Sequence, residues 1–325
     1  MPERAEARFP SVPREKGHYE SFYIRACHPS EPLGVWIRHT VHKRPGQAPK
    51  GSMWFVLFDA AADGPVASKT FTDELSAGDG SYIRVADGSF GPGLAEGSAR
   101  SEQADPSWRL EIATDEEPFP YLPAGWMYRA PVPRTKAECP YPNARFDGRV
   151  EVGGRTIDVE GWRGMVGHNW GAEHAERWIW TQGTLFDGGA WFDATLGRIK
   201  IGPLTTPWVA NAAITIDGVR HRLGGPGRKT TVDERPDGAE FTLSGKGVKL
   251  RGRVGADRKD FVGWVYADPD GPEHNTVNCS IASMTLTVER DGRDPVELHT
   301  PHGAAYELGM RETDHGIPLQ PFPDG

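Results

Sequence analysis

Apolar and polar residues alternate with a period of two along most of this chain, which restricts it to half-buried β-strands. Segments 19–26 (YESFYIRA), 34–42 (GVWIRHTVH) and 52–59 (SMWFVLFD) are rich in aromatic and β-branched residues, which suit a pleated surface. Segments 81–85, 108–113 and 126–130 continue the series. Segments 143–151 and 155–162 flank Gly153-Gly154, a strong hairpin signal. Then come 177–186 and 190–201, joined across Asp187-Gly188-Gly189, and 208–216 and 219–223, turning at Asp217-Gly218. Segments 239–244 and 247–254 turn near Gly245-Lys246-Gly247, and further strands are expected at 259–267, 276–289 and 303–310. A long apolar stripe at helical spacing is missing. Residues 172–176 suit one helical turn at most. Residues 91–107 are polar and read as an exposed loop, and the Pro-rich tail 316–325 as irregular. Gly 40 and Pro 28 in 325 residues fit a chain of many turns and short elements.

This length suits two domains of about 150 residues, each with its own core. The Pro-rich stretch 131–142 (PVPRTKAECPYP) is the natural link, because proline cannot serve a central ladder. It divides the chain into 1–140 and 141–325. Two strand-rich halves of this size favour closed barrels, since closure removes exposed edges. An eight-stranded barrel is just wide enough for one small ligand. A pair of β-sandwiches satisfies the same pattern.

A formal net charge of −8 without any Lys/Arg run argues against nucleic acid as partner. The start, Met1-Pro2-Glu3-Arg4-Ala5-Glu6, has no apolar core for a secretory signal. Nor does any stretch of about 18 apolar residues exist to make a membrane span. Cys27, Cys139 and Cys279 are odd in number and far apart, a poor disulfide framework that fits buried free thiols and a cytoplasmic location. A GxSxG elbow, a Walker lysine loop and a GxGxxG between strand and helix are all lacking. A homodimer is compatible with the pattern, which does not fix oligomeric state.

The densest concentration of chemistry lies between Glu160 and Gln182. Gly164, Gly167 and Gly171 free the backbone for tight bends, which would place His168 and Asn169 on a loop. In the strand that follows, Trp178, Trp180, Gln182 and Thr184 share one face, while Ile179, Thr181 and Leu185 share the other. A face carrying Trp and Gln suits a pocket: aromatic walls cover an apolar ligand and the amide orients it.

The segment His168-Asn169-Trp170-Gly171, followed by Arg177-Trp178-Ile179-Trp180-Thr181-Gln182, resembles a motif of the double-lipocalin superfamily. That group includes tocopherol cyclase, the carotenoid 1,2-hydratases, the lipocalin-like Diels–Alderases and the AttH-like proteins. Tocopherol cyclases carry a similar Asn-Trp-Gly, then Trp-x-Trp-x-Gln. The likeness extends loosely to Asn275-Thr276-Val277-Asn278-Cys279-Ser280, to Gly303-Ala304-Ala305-Tyr306-Glu307, and to Gly34-Val35-Trp36-Ile37-Arg38-His39-Thr40. The resemblance implies an all-β fold of two consecutive lipocalin-like antiparallel barrels with little helix. It also implies an apolar isoprenoid- or polyketide-like ligand and non-redox chemistry such as hydration or cyclisation, with no organic cofactor or metal.

Protonating an alkene requires an acid in a dry, apolar site, and burial raises a carboxyl pKa. Glu160, Glu173, Asp193 and Glu307 are the carboxyls near the motifs. We therefore expect Glu173 or Glu307 as acid and His168 as base or orienter, with His174 the alternative base. Asn169, His174, Gln182, Asp193 and Asn278 would be polar contacts to substrate. Trp170, Trp178 and Trp180 would be walls able to stabilise a carbocation by about 0.5–2 kcal/mol each. Each residue has a plainer rival. Trp178 and Trp180 could fill a barrel core, His168 and Asn169 could tie a loop to the rim, Glu173 could be a solvated charge, and Glu307 could hold a loop. The spacing of His168, Glu173 and His174 matches no standard zinc pattern. Three readings remain open: an enzyme of acid/base hydration, cyclisation or isomerisation on an isoprenoid-, steroid- or polyketide-like molecule; a carrier or sensor of a lipophilic ligand; and a structural module with filled barrels.

Overall fold

The computed structural model describes residues 4–271 and 273–322; residues 1–3, read above for a signal, and 323–325 of the tail lie outside them. The chain is all-β, with 61% of the described residues in strands. The first sheet is built from β1 (His18–Cys27), β2 (Leu33–Lys43), β3 (Lys50–Asp59), β4 (Val66–Thr72), β5 (Leu75–Gly78), β6 (Ser81–Val85), β7 (Gly88–Gly91), β8 (Leu94–Ser98), β9 (Ser107–Ala113), β10 (Phe119–Pro120), β11 (Thr135–Val152) and β12 (Arg155–Gly171). Its order is β4-β3-β2-β1-β12-β11-β9-β8-β7-β6-β5, with β10 paired to β11.

The second sheet holds β13 (Arg177–Gly183) and β14 (Trp191–Arg198). The chain then makes a small separate ladder of β15 (Lys200–Ile201) and β16 (Leu204–Thr205). The sheet resumes with β17 (Val209–Ile216), β18 (Val219–Gly224), β19 (Thr230–Arg235), β20 (Gly238–Ser244), β21 (Val248–Gly255), β22 (Val262–Ala267), β23 (Glu273–Arg290) and β24 (Val296–Met310). Its order is β18-β17-β14-β13-β24-β23-β21-β20-β19, with β22 paired to β23. Both sheets are antiparallel and curl into nearly closed barrels.

Two hairpins form as their turn residues dictate. Gly153 and Gly154 have φ of 58° and 74°, and Asp217 and Gly218 have 55° and 71°. Positive φ at both central residues is what a type I′ turn requires. Elsewhere the chain departs from expectation. Residues 125–128 form a 3-10 turn, not part of a strand. Residues 94–98, inside the expected loop, form β8, whose Ala95 is buried in the first core. Residues 172–176 are bends without a helical turn. The stretch 131–142 runs straight into β11, so the first sheet extends to Gly171 and the second begins at Arg177. Pro140 and Pro142 sit where the β11–β12 register shifts, so neither interrupts a regular ladder.

Gly164, Gly167 and Gly171 do not bend the chain; they lie within β12. A Cβ at Gly164 would meet the Arg25 carbonyl, at Gly167 the Tyr23 ring, and at Gly171 the Arg134 carbonyl. These glycines permit close approach, and His168 and Asn169 therefore stand on a strand.

Each barrel has its own core. Phe22, Ile37, Phe55 and Trp162 belong to the first, and Ile179, Phe192, Phe241 and Leu286 to the second. Trp36, Trp54 and Phe58, on the outer face of β2 and β3, pack with the second core. The Trp54 and Trp264 ring centroids are 4.8 Å apart. Both faces of β2 and β3 are thus buried, as their aromatic content demands. Arg25 on β1 ties the barrels together. It is fully buried and donates to Ser280 O at 2.6 Å, Gln182 Oε1 at 3.0 Å and Gly303 O at 3.1 Å, all on the second sheet.

Candidate functional site between the barrels

A cavity of about 270 Å³ opens where the two sheets face each other. Tyr23 and Arg38 line it from the first barrel, and Trp178, Trp180, Tyr266 and Glu307 from the second; Tyr121, Leu122 and Met127 come from the connection between β9 and β11. Trp178 and Trp180 of β13 line this wall, Trp180 meeting Tyr23 of the first barrel edge-on, and Ile179 between them belongs to the second core.

Glu307 on β24 is largely buried in the wall. Its Oε1 accepts from Trp178 Nε1 at 3.0 Å, and its Oε2 from Tyr266 OH at 3.2 Å and Asn278 Nδ2 at 3.2 Å. Three donors from three strands fix the carboxyl group. Asn278, expected to touch substrate, is not among the lining residues and acts on Glu307 instead.

His174, just before β13, also lines the cavity. Its backbone N and its ring Nδ1 both lie 2.7 Å from Asp268 Oδ1. Burial works upward on the Asp268 carboxyl, but the His174 bonds outweigh it and hold it below the usual range. In the neutral ring an ionised acceptor makes Nδ1 the protonated nitrogen, and Nε2 then carries the lone pair. Nε2 has no hydrogen-bond partner among the described residues. The ring is stacked on Tyr19 at 4.0 Å and on Trp178 at 5.3 Å. Trp178 and Tyr266 therefore contact both His174 and Glu307.

His274 lies beside this pair, and ligand-type atoms of His174, Asp268 and His274 fall within 4.8 Å of one another. Burial, then the neighbouring His174, pulls the His274 pKa down to about 3. The 2.7 Å His174–Asp268 separation is a hydrogen bond, shorter than the roughly 3.3 Å between ligands of a tetrahedral ion with ~2.0–2.1 Å bonds.

Asp193 on β14 is buried behind the wall and accepts from Tyr121 OH at 2.7 Å. Burial, only partly offset by that bond, pushes its carboxyl up to about 7. Its Oδ1 has no hydrogen-bond partner among the described residues.

The remaining expected residues separate. Asn169 lines the cavity, with Oδ1 unpartnered among the described residues. Glu173 lines it at the edge and pairs with Arg134. His168 does not line it. Both its ring nitrogens are engaged, Nε2 with Glu20 at 2.7 Å and Nδ1 with Glu138 at 2.9 Å, and its ring stacks on Phe22 at 4.0 Å. Glu20 also accepts from the backbone N of Arg8 and Phe9. His168 thus anchors the N-terminal segment to the first barrel, which leaves no free nitrogen for a base. Trp170 stacks on His168 at 4.5 Å and lines a second, separate hollow. Gln182 is occupied by Arg25 and does not line the cavity. Arg38, Tyr266, Asp268 and Tyr121 escaped the sequence reading. Tyr266 and Asp268 carried a weak signal, as the penultimate residue of a strand and the first of an Asp-Pro-Asp-Gly turn.

No family model matches the chain. Two uncharacterized proteins of Mycobacterium tuberculosis, from strains CDC 1551 / Oshkosh and H37Rv, are each 27% identical over 317 residues, covering 95% of this chain and 92% of theirs. Among solved structures, CghA superposes with a TM-score of 0.61 at 11% identity, covering 92% of this chain and 89% of its own. An AttH-type protein from Nitrosomonas europaea gives 0.54 at 14% identity, with 94% and 97% covered. Kievitone hydratase from Nectria haematococca gives 0.54 at 11% identity, with 96% and 94% covered. These likenesses concern the arrangement of strands over nearly the whole chain. With its two nearly closed antiparallel barrels, the chain has the double-lipocalin fold.

Proposed function

We infer that the chain binds an apolar small molecule between its barrels and performs non-redox acid/base chemistry on it: hydration, cyclisation or isomerisation. The observation that carries this reading is the placement of His174 and Glu307 on one aromatic cavity wall, with His174 held by Asp268 and Glu307 by Trp178, Tyr266 and Asn278. A carrier needs apolar walls; it does not need an Asp-held imidazole and a triply bonded carboxyl facing its ligand. His174 Nε2 and the Glu307 carboxyl are the two proton-transfer groups, and Trp178 and Tyr266 hold them in register. The hydratase among the structures of like fold makes this chemistry a natural one for the scaffold, although fold alone does not assign it. An isoprenoid, steroid or polyketide skeleton fits such walls.

The test begins with protein purified from its own host and extracted with organic solvent, the bound molecule being identified by mass spectrometry. That molecule is then returned to the protein in D₂O. Wild type converts it or exchanges its hydrogens, and Glu307→Gln and His174→Ala each slow the reaction by about 10²–10⁴, the usual range for lost proton transfer. Recovery of the molecule unchanged and unlabelled with wild type would establish the carrier instead.

A further inference from the structure

Arg38 is a buried cation without an ion-pair partner among the described residues. Its residue is 6% exposed, and no carboxylate among the described residues lies within 4.0 Å of it to form an ion pair. Nε donates to Ser21 Oγ at 2.8 Å. Its guanidinium carbon lies 4.6 Å from the centroid of Tyr266, 5.1 Å from Trp54 and 5.3 Å from Trp36. These rings orient the fork and offset part of its desolvation, but they accept no hydrogen bond from its Nη groups. Those groups have no hydrogen-bond partner among the described residues, and the side chain lines the cavity.

Leaving a charged donor buried and unpaired is expensive. A planar fork on the wall of a largely apolar cavity matches an oxyanion that can accept two parallel bonds. We propose that Arg38 is an oxyanion subsite, so that the molecule held here carries an acidic oxygen (a carboxylate, enolate or phenolate) on an otherwise apolar frame. This rests on the reading of the cavity as a ligand site and adds the class of ligand. The geometry also relates the subsite to the proton-transfer groups. Tyr266 presents its ring to Arg38 and its hydroxyl to Glu307 Oε2. An oxyanion at Arg38 therefore sits one tyrosine away from the Glu307 carboxyl. A substrate whose charge develops on that oxygen during proton transfer would be stabilised where the charge appears.

Decanoate and decanol are matched probes for calorimetric titration at pH 7.5. The full-length protein is expected to bind decanoate at least tenfold more tightly than decanol. Arg38→Met should lower decanoate affinity by about 10–100-fold, the range for a charge-assisted pair, and leave decanol affinity within a factor of three. Arg38→Lys, which keeps the charge and loses the fork, should fall between. Retained decanol binding in Arg38→Met shows that the cavity is intact. Equal affinity of wild type for both probes, or unchanged decanoate affinity in Arg38→Met, would overturn the subsite and leave the cavity standing. Failure of wild type to bind either probe would overturn the cavity reading, and the subsite with it.

Discussion

Trp178 donates its indole N–H to Glu307 Oε1 at 3.0 Å, joining β13 to β24 at the point where the cavity wall turns polar. The same ring stacks on His174 at 5.3 Å. One side chain therefore positions both proposed proton-transfer groups. Trp178→Phe keeps the stacking face and removes the donor. It is expected to lower kcat by about tenfold with little change in KM, as loss of orientation does. Steady-state kinetics on the extracted molecule checks this; a change confined to KM would show that Trp178 serves only as a wall.

The union of the barrels depends on a different residue. Arg25 reaches three strands of the second sheet. Arg25→Met keeps most of the packing and removes the donor to the Ser280 carbonyl and the Gln182 amide oxygen, while the Gly303 carbonyl keeps its bond from Thr184 N. Relief from burying a cation offsets part of the loss, so the net cost is expected to be on the order of 2–3 kcal/mol. Gln182→Leu should cost about half as much. Urea unfolding followed by tryptophan fluorescence measures both, and an Arg25→Met protein as stable as wild type would show that the clamp is not what joins the barrels.

Asp193 gives the fold a pH dependence with a definite sign. Its folded pKa, about 7, lies above the ordinary 3.8. The folded state therefore holds this proton more tightly than the unfolded chain, and the resulting stability is complete below pH 4 and lost as pH rises toward 7. Full ionisation costs on the order of 4 kcal/mol. Asp193→Asn, which can still accept from Tyr121, should be close to wild type at pH 4.5 and more stable by a few kcal/mol at pH 8. Unfolding curves of both proteins at the two pH values test this. A stability difference that does not grow with pH would contradict it.

Glu20 has the opposite sign. Burial acts upward on it, yet the bonds from His168 and His18 bring its pKa down to about 2. Its contribution is present above pH 4.5 and disappears as pH falls toward 2. Glu20→Gln should cost about 2–3 kcal/mol at pH 7 and progressively less below pH 4. Thermal melts across that range would show it, and an unvarying cost would mean that the bond to His168 carries no charge.

The strands and hairpins were legible because their signals are local. Alternation in 34–42 and the positive-φ pairs Gly153-Gly154 and Asp217-Gly218 need no knowledge of the partner strand. The outward face of β13 was legible for the same reason, and with it Trp178 and Trp180. Residues whose role depends on a distant partner were harder to read. His168 and His174 are six positions apart, yet one is clamped by Glu20 and Glu138 and the other is held by Asp268 at the cavity. Gln182 has the right face but meets Arg25, 157 positions away. Arg38 looked like an ordinary strand residue, since period two cannot show that both faces of β2 are covered. The glycines of β12 misled because a bend and a close approach favour the same residue.

A crystal structure of the protein from its own host, with whatever non-covalent molecule it retains, tests the central claim most directly. Density for an apolar molecule enclosed by Trp178, Trp180, Tyr266 and Glu307, with an oxygen at Arg38, is the predicted result. Side chains packed solidly through that space, or a molecule confined within one barrel's own core, would contradict it.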